Sequence, residues 1–262
     1  MRRTARGSAV VLVALLAAGC SKTGAHPQTE ADRLTPPRLG ACRVLKPTDV
    51  TAPSNTSAQV PCTNPHTAQT FAIGTLPAAT GSSYDDPRHG GWIFRHCGAA
   101  FMRFVGADQS VAMRTQLSWA WFRPSSAGWD KGARWYRCDV VGGPANATGY
   151  RNLPTKTRGL FQGPPSDTWL TCARGPSVPK SVQVACTQPH DWRAVTTIKL
   201  GQPKDPFPGD RLVQVRSRNY CSDSVGAWSH YPPDYTFGYT WFRKAQWQAG
   251  NRRSICWART SR

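Results

Sequence analysis

The sequence predicts an α+β protein: two homologous, small, disulfide-stapled domains, each a short antiparallel sheet carrying one helix. Three observations predict it. Eight of the nine cysteines form two matched sets of four, Cys42, Cys62, Cys97 and Cys138, then Cys172, Cys186, Cys221 and Cys256. The string VPCTNPH at 60–66 returns as VACTQPH at 184–190, and in each copy the His stands 31 residues before the third cysteine. The apolar period also changes within each copy, from strand alternation to helical spacing and back.

The elements follow in order. In the first copy Val60-Pro61-Cys62 and residues 70–76 read as strands, with a Pro65-His66 turn between them. Ile93, Cys97, Ala100, Phe101 and Phe104 then recur at helical spacing and mark one face of a helix of about four turns. Residues 117–122 form an aromatic strand, and residues 134–141 a last strand carrying Cys138. In the second copy, residues 182–186 and 194–200 read as strands, the latter rich in β-branched residues. Val213, Ser217, Tyr220, Cys221, Ser224 and Val225 repeat the helix less cleanly, and 236–242 and 252–258 complete the sheet. The string Trp119-Ala120-Trp121-Phe122-Arg123 matches Tyr239-Thr240-Trp241-Phe242-Arg243. Trp129 with Gly132-Ala133-Arg134 matches Trp247 with Gly250-Asn251-Arg252.

The domains are drawn at 40–141 and 169–258, with the Gly- and Pro-rich residues 142–168 as linker and Phe161 as the linker residue able to dock on a domain. Units of this size are near the lower limit for a self-sufficient core, so four cysteines apiece fit the need. Eight cysteines allow 105 pairings. Bridges confined to one copy and matched between copies leave three schemes. Length variation favours Cys42–Cys62 with Cys97–Cys138, and Cys172–Cys186 with Cys221–Cys256. The first pair encloses 19 residues in one copy and 13 in the other, which a loop stapled at its base tolerates. Paired zinc sites are the rival reading, but the chain has no C-x-x-C, and no metal or cofactor is expected.

The N-terminus reads as an export signal at 1–19. Arg2, Arg3 and Arg6 precede an apolar run from Ala9 to Ala18, too short to span a bilayer. It ends in Leu16-Ala17-Ala18-Gly19-Cys20, which resembles a bacterial lipobox, with Ala17 where Leu is usual three residues before the cysteine. Cys20 is the expected lipidation site, and residues 20–39 are expected to form the anchor and a flexible tether. Export places the chain outside the cytoplasm, on the outer face of the cell membrane.

That setting changes how the charge is read. The chain carries 33 Lys+Arg against 14 Asp+Glu, a net charge of +19, and Glu30 is its only Glu. A cytosolic nucleic-acid binder explains this charge but not nine cysteines, so nucleic acid is excluded as a partner. Membrane lipid, anionic wall polymers and division proteins remain.

The ordered set Gly40-x-Cys42, Val60-Pro61-Cys62, Pro65-His66, Cys97, Trp129, Gly132 and Cys138 resembles the septum-formation family of actinobacteria. The second copy matches through Cys172, Cys186, Pro189-His190, Cys221, Trp247, Gly250 and Cys256, without the opening Gly. The resemblance implies extracytoplasmic domains, often in tandem on membrane-anchored proteins, and a link to division septa. It implies no reaction. It also implies a Glu three residues after each His, where this chain has Gln69 and Arg193.

His66 and His190 are the most reactive-looking repeated residues. A Pro-His turn supplies a general base only if the imidazole is free; the competing duty is a hydrogen bond to nearby backbone. No Gly-x-Ser-x-Gly nucleophile setting is present, and Asp85-Asp86 are adjacent rather than spaced for glycan cleavage. Arg123, Arg134, Arg243 and Arg252 are the candidate anion-binding residues; their competing duties are capping carbonyls and stacking on Trp. Most Trp are expected in the cores, led by Trp121, Trp241, Trp129 and Trp247, with Trp92, Trp192 and Trp228 nearer the surface. The expectation is therefore a non-enzymatic, lipid-anchored envelope protein that binds anionic envelope material or a division protein. The alternative is an enzyme acting on envelope polymers through His66 or His190.

Overall fold

The computed structural model describes residues 29–260. The signal at 1–19 and Cys20 lie outside them. The first unit runs β1 (Cys42–Arg43), β2 (Gln59–Val60), β3 (Ala68–Thr75), α1 (Arg88–Val105), α2 (Gln109–Ala112), β4 (Ser118–Phe122), α3 (Ser126–Asp130) and β5 (Trp135–Val141). The second runs β6 (Thr171–Arg174), β7 (Val182–Ala185), β8 (Trp192–Lys199), α4 (Asp210–Trp228), β9 (Phe237–Thr240), α5 (Lys244–Gln248) and β10 (Arg253–Arg259). The strands build two antiparallel sheets of identical topology, β2-β1-β3-β5-β4 and β7-β6-β8-β10-β9. The fold class is thus the predicted α+β. The short strands β1 and β6, which carry the opening cysteines, and the short helices α2, α3 and α5 were not anticipated. Among the described residues, no helix is long and apolar enough to cross a membrane.

Each sheet carries its long helix on one face. The apolar stripe of α1 buries Ile93, Cys97, Phe101 and Phe104, while α4 buries Val213, Ser217, Cys221 and Val225. Cys97–Cys138 ties α1 to β5, and Cys221–Cys256 ties α4 to β10. Cys42–Cys62 and Cys172–Cys186 close the loops at the sheet edges. The pairing is the one that length variation favoured. Four such bridges fit an extracytoplasmic setting, where thiols are oxidised. Both sheets also carry a bulge beside the helix-linked cysteine, at Phe71 between Thr70 and Ala72 and at Val195 between Ala194 and Thr196.

The repeat aligns differently from the string match at one place. Trp121 lies opposite Cys138, but the residue opposite Cys256 is Tyr239, not Trp241. The copies are therefore in register with Trp119 on Phe237 and Trp121 on Tyr239, two residues away from the Trp-Phe-Arg match. Side chains alternate with period two along a strand, so a two-residue slip keeps the face pattern and is invisible in sequence. Trp121 and Trp241 are accordingly not equivalent, and both are only half-buried. Trp129 and Trp247 are core residues as expected, but Trp192 is buried too, its Nε1 donating to the Gly175 carbonyl at 3.0 Å. Trp228 is exposed.

Two segments expected to be loose are packed. Residues 29–39 fold onto the first unit: Ala31 is fully buried, the Ser125 amide donates to its carbonyl, and Trp135 Nε1 donates to the Arg33 carbonyl at 2.9 Å. The stretch 142–168 wraps the first unit. Its Leu153 amide donates to the His66 carbonyl and its Phe161 amide to the Val105 carbonyl, with both side chains in the α1 core. Their backbone amides find acceptors on the sheet and helix, which fixes stretches that composition alone reads as solvated. The two units also touch directly: Arg114 Nη1 donates to the Val195 carbonyl at 2.9 Å, and Arg253 Nε to Gln109 Oε1 at 3.0 Å.

Candidate functional site

The two Pro-His turns are structurally alike. His66 is buried, and its Nδ1 lies 2.8 Å from the Asn64 carbonyl; His190 is buried, with Nδ1 2.7 Å from the Gln188 carbonyl. A ring nitrogen facing a carbonyl must carry the proton, so each imidazole donates to the residue two positions before it. That bond closes the turn after the Cys-Thr-x-Pro string. The His66 backbone carbonyl meanwhile accepts from Leu153 of the wrapping segment. No group of three or more potential metal ligands occurs among the described residues.

The four arginines separate into two kinds. Arg134 and Arg252 occupy equivalent places and do the same work. Each guanidinium stacks on its Trp, at 3.9 Å from the Trp129 ring and 3.7 Å from the Trp247 ring. Arg134 Nη1 donates to the Trp129 and Ala133 carbonyls; Arg252 Nη1 donates to the Trp247 and Asn251 carbonyls. Arg252 also reaches the Gln202 and Pro203 carbonyls, and burial lowers its pKa. These two cap the turn before the last strand, so their donors are engaged inside the fold. Arg123 and Arg243, which the string match paired, are not equivalent. Arg123 is buried against the Tyr84 ring and donates to Asp85 at 2.6 Å. Arg243 is the exposed N-cap residue of α5, stacked on Trp241 at 3.6 Å and 3.1 Å from Asp210.

An ionic cluster absent from the sequence reading lies on the outer face of the first sheet. Arg43, Arg137 and Asp139 are fully buried. Arg43 Nη2 and Arg137 Nη1 converge on one oxygen of Glu30, at 2.5 and 2.7 Å. Gln59 Nε2 donates to the other Glu30 oxygen, Arg137 Nη2 to Asn55 Oδ1, and Thr70 Oγ1 to Asp139 Oδ1. Arg137 Nε lies 3.1 Å from Asp139 Oδ2. Burial alone would raise the Glu30 pKa; the Gln59 hydrogen bond and the charges of Arg43 and Arg137 outweigh it, and the pKa is lowered. Glu30 was expected to lie in a flexible tether, leaving the folded part without any Glu. It is instead the counter-ion of two buried arginines. The second unit meets the same need differently. Its equivalent positions are Ala173, Ala194, Ile255 and Trp257, which with Val178 and Trp192 form an apolar cluster.

Among the described residues, two surface clefts are of similar size. One of about 340 Å³ runs between Leu39, Gln69, Phe104 and residues 155–158. The other, about 320 Å³, lies in the second unit between the end of α4 and the start of β9, lined by Trp228, Pro232, Asp234, Tyr235 and Arg259.

The sequence profile of the septum-formation family matches residues 40–256 as one span that takes in both units. The chain belongs to the septum-formation family. No curated protein and no solved structure matches it. In this septum-formation protein, the two positions where the resemblance implies a Glu take up separate duties. Gln69 is half-buried in β3, at the wall of the first cleft. Arg193, in β8, pairs with Asp167 of the wrapping segment at 2.5 Å. Neither places a carboxylate beside its His, so the Pro-His turns hold an imidazole without an acidic partner three residues on.

Proposed function

We propose that this septum-formation protein is a non-enzymatic, lipid-anchored component of the cell envelope that acts at the division septum by binding anionic envelope polymer. Family membership links it to septum formation, and the four disulfides suit the outside of the membrane. The observation that carries the binding reading is the distribution of charge. Residues 29–260 keep 28 of the 33 Lys+Arg and all 14 acids, a balance of +14. Much of the acid is already spent on ion pairs, with Glu30, Asp85, Asp86, Asp139, Asp167 and Asp210 each facing an arginine. Arg95, Arg103, Arg211, Arg216 and Arg218 are exposed along the two long helices, Lys244 on α5 and Arg259 at the end of β10. A surface of that kind attracts polyanions over a distance set by ionic strength.

The test is co-sedimentation of the exported chain with purified cell wall over a salt series. The reading expects binding at low salt that weakens steeply as salt rises. Absence of wall binding at low salt, together with uniform distribution around the cell, would overturn it.

A further inference from the structure

We infer that the aromatic cleft of the second unit is a polysaccharide site that takes a pyranose ring against Trp228. The turn that builds it, WSHYPPDYTF at 228–237, has no counterpart in the first unit. Its backbone is held in an unfavourable shape: His230 and Tyr231 are consecutive non-glycine residues at φ +63° and +51°. Bulky side chains rarely adopt that region, and such strain persists where the surrounding structure enforces it. Here the Tyr231 amide donates to the Gly226 carbonyl at 2.8 Å, and Tyr235 Oη donates to the Ser222 carbonyl at 3.2 Å. Gly226 makes room for both rings; a Cβ there would lie 3.0 Å from Tyr231 and from Tyr235.

The strain does not serve the core. Tyr231 is 66% exposed and Trp228 is 45% exposed. The turn thus fixes large aromatic rings at the surface, where an unneeded ring would be left mobile or replaced. A rigid exposed aromatic beside a cleft is a device for binding, because little ordering remains to be done when the ligand arrives.

The lining selects the ligand. Trp228, Tyr235 and Pro232 offer apolar faces, and Asp234, Ser229, Thr236 and Arg259 offer polar groups to the same space. Among the described residues no ion pair engages Asp234 or Arg259, and the Arg259 guanidinium lies 5.4 Å over the Trp192 ring with its donors still open to the cleft. A wholly apolar occupant would make no use of that carboxylate and guanidinium. A simple polyanion would meet Asp234 and make no use of the rings. A pyranose satisfies both halves: its axial C–H face stacks on indole, and its hydroxyls donate to Asp234 and accept from Arg259. The cleft volume, about 320 Å³, is at the small end for ligand sites and suits one or two rings of a chain that continues past it.

This inference rests on the envelope reading for its source of glycan, and the experiment separates the two. The exported chain is 15N-labelled at its tryptophans and titrated with N-acetylglucosamine tetramer and, in parallel, with glucose tetramer of the same β-1,4 linkage. The Trp228 indole resonance, assigned by its loss in Trp228→Ala, is expected to shift saturably with at least one of them. Preference between the two tells whether the acetamido group is read. Trp228→Ala and Gly226→Ala are expected to weaken binding at least tenfold, followed for Trp228→Ala by calorimetry. Tyr231→Gly removes the strain with the ring, so it is expected to unfold at the same or a higher temperature while binding more weakly. No saturable shift with either sugar, or unchanged affinity in Gly226→Ala and Tyr231→Gly with the fold intact, overturns the inference. Wall binding that survives Trp228→Ala removes the cleft alone and keeps the envelope reading. Tetramer binding without wall binding keeps the cleft and removes the envelope reading.

Discussion

Glu30→Ala is the substitution that most sharply distinguishes a packed N-terminal segment from a tether. In a tether the change is a surface substitution, worth no more than about 0.5 kcal/mol. In the structure it leaves two fully buried guanidiniums, Arg43 and Arg137, with Asp139 as the carboxylate that remains beside them. Removing one partner of a buried ion pair costs about 3–5 kcal/mol. The Glu30 side chain keeps 15% of its exposure, so the lower end, about 3 kcal/mol, is expected. For a chain of this size about 2–4 °C is lost per kcal/mol, which gives a fall in Tm of roughly 6–12 °C. Differential scanning calorimetry measures it. Glu30→Gln keeps the shape and one acceptor, so it should lose about half as much. The pH dependence has a definite sign. The folded pKa of Glu30 lies below its ordinary value of 4.5. Its stabilisation is therefore complete above pH 4.5 and disappears as pH falls through the lower folded value. Glu30→Gln should lack that part of the acid sensitivity. A Tm within 1–2 °C of wild type for Glu30→Ala would refute the reasoning, since it would mean the buried arginines do not depend on this carboxylate.

Further consequences follow from the turns, the repeats and the bridges. His66→Asn places an amide donor where Nδ1 is and should recover most of the ~1–2 kcal/mol that His66→Ala loses by leaving the Asn64 carbonyl unpaired, whereas His66→Gln should not; chemical denaturation ranks the three. Gly132 and Gly250 are equivalent, at φ +99° and +109°, but a Cβ on Gly132 meets nothing within 4 Å, while one on Gly250 would lie 2.4 Å from the Phe94 ring. Gly132→Ala should therefore cost only backbone strain, about 1–2 kcal/mol, and Gly250→Ala distinctly more, with Phe94→Ala restoring part of the difference. Peptide mapping without reductant should recover all four bridges, and replacing Cys97 and Cys138 together by Ala should cost about 2–4 kcal/mol.

The sequence made the repeat, the bridges and the helices legible because each leaves a periodic trace. Cys97 and Phe101 on one stripe announce a helix against a sheet, and the unequal loops after Cys42 and Cys172 announce which cysteines close them. What escaped has physical reasons. Aligning Trp121 with Trp241 required knowing which residue faces Cys256, and strand alternation conceals a slip of two. Polar composition described residues 29–39 and 142–168 correctly, but it does not report whether backbone amides find acceptors on a neighbouring sheet. Arg43 and Arg137 left no trace as buried charges because the carboxylate they share, Glu30, is 13 and 107 residues away in the chain. Trp192 looked like a surface residue for want of a counterpart. Its place is filled in the first unit by Ala68, and the apolar cluster of the second unit grows to take the larger ring. Of the candidate site, the His and Arg residues were found as residues but not as structural members. The aromatic turn at 228–237 showed only as an exposed Trp, because its shape rests on left-handed residues and on Gly226.

Binding of envelope polymer at the division site, as proposed above, would concentrate this septum-formation protein there. Fluorescent localisation of the full-length chain in dividing cells, beside the Trp228→Ala variant, tests it most directly. Enrichment of the wild-type chain at septa, lost or weakened in the variant, is the expected result. Uniform labelling of the envelope by the wild-type chain throughout division would contradict it.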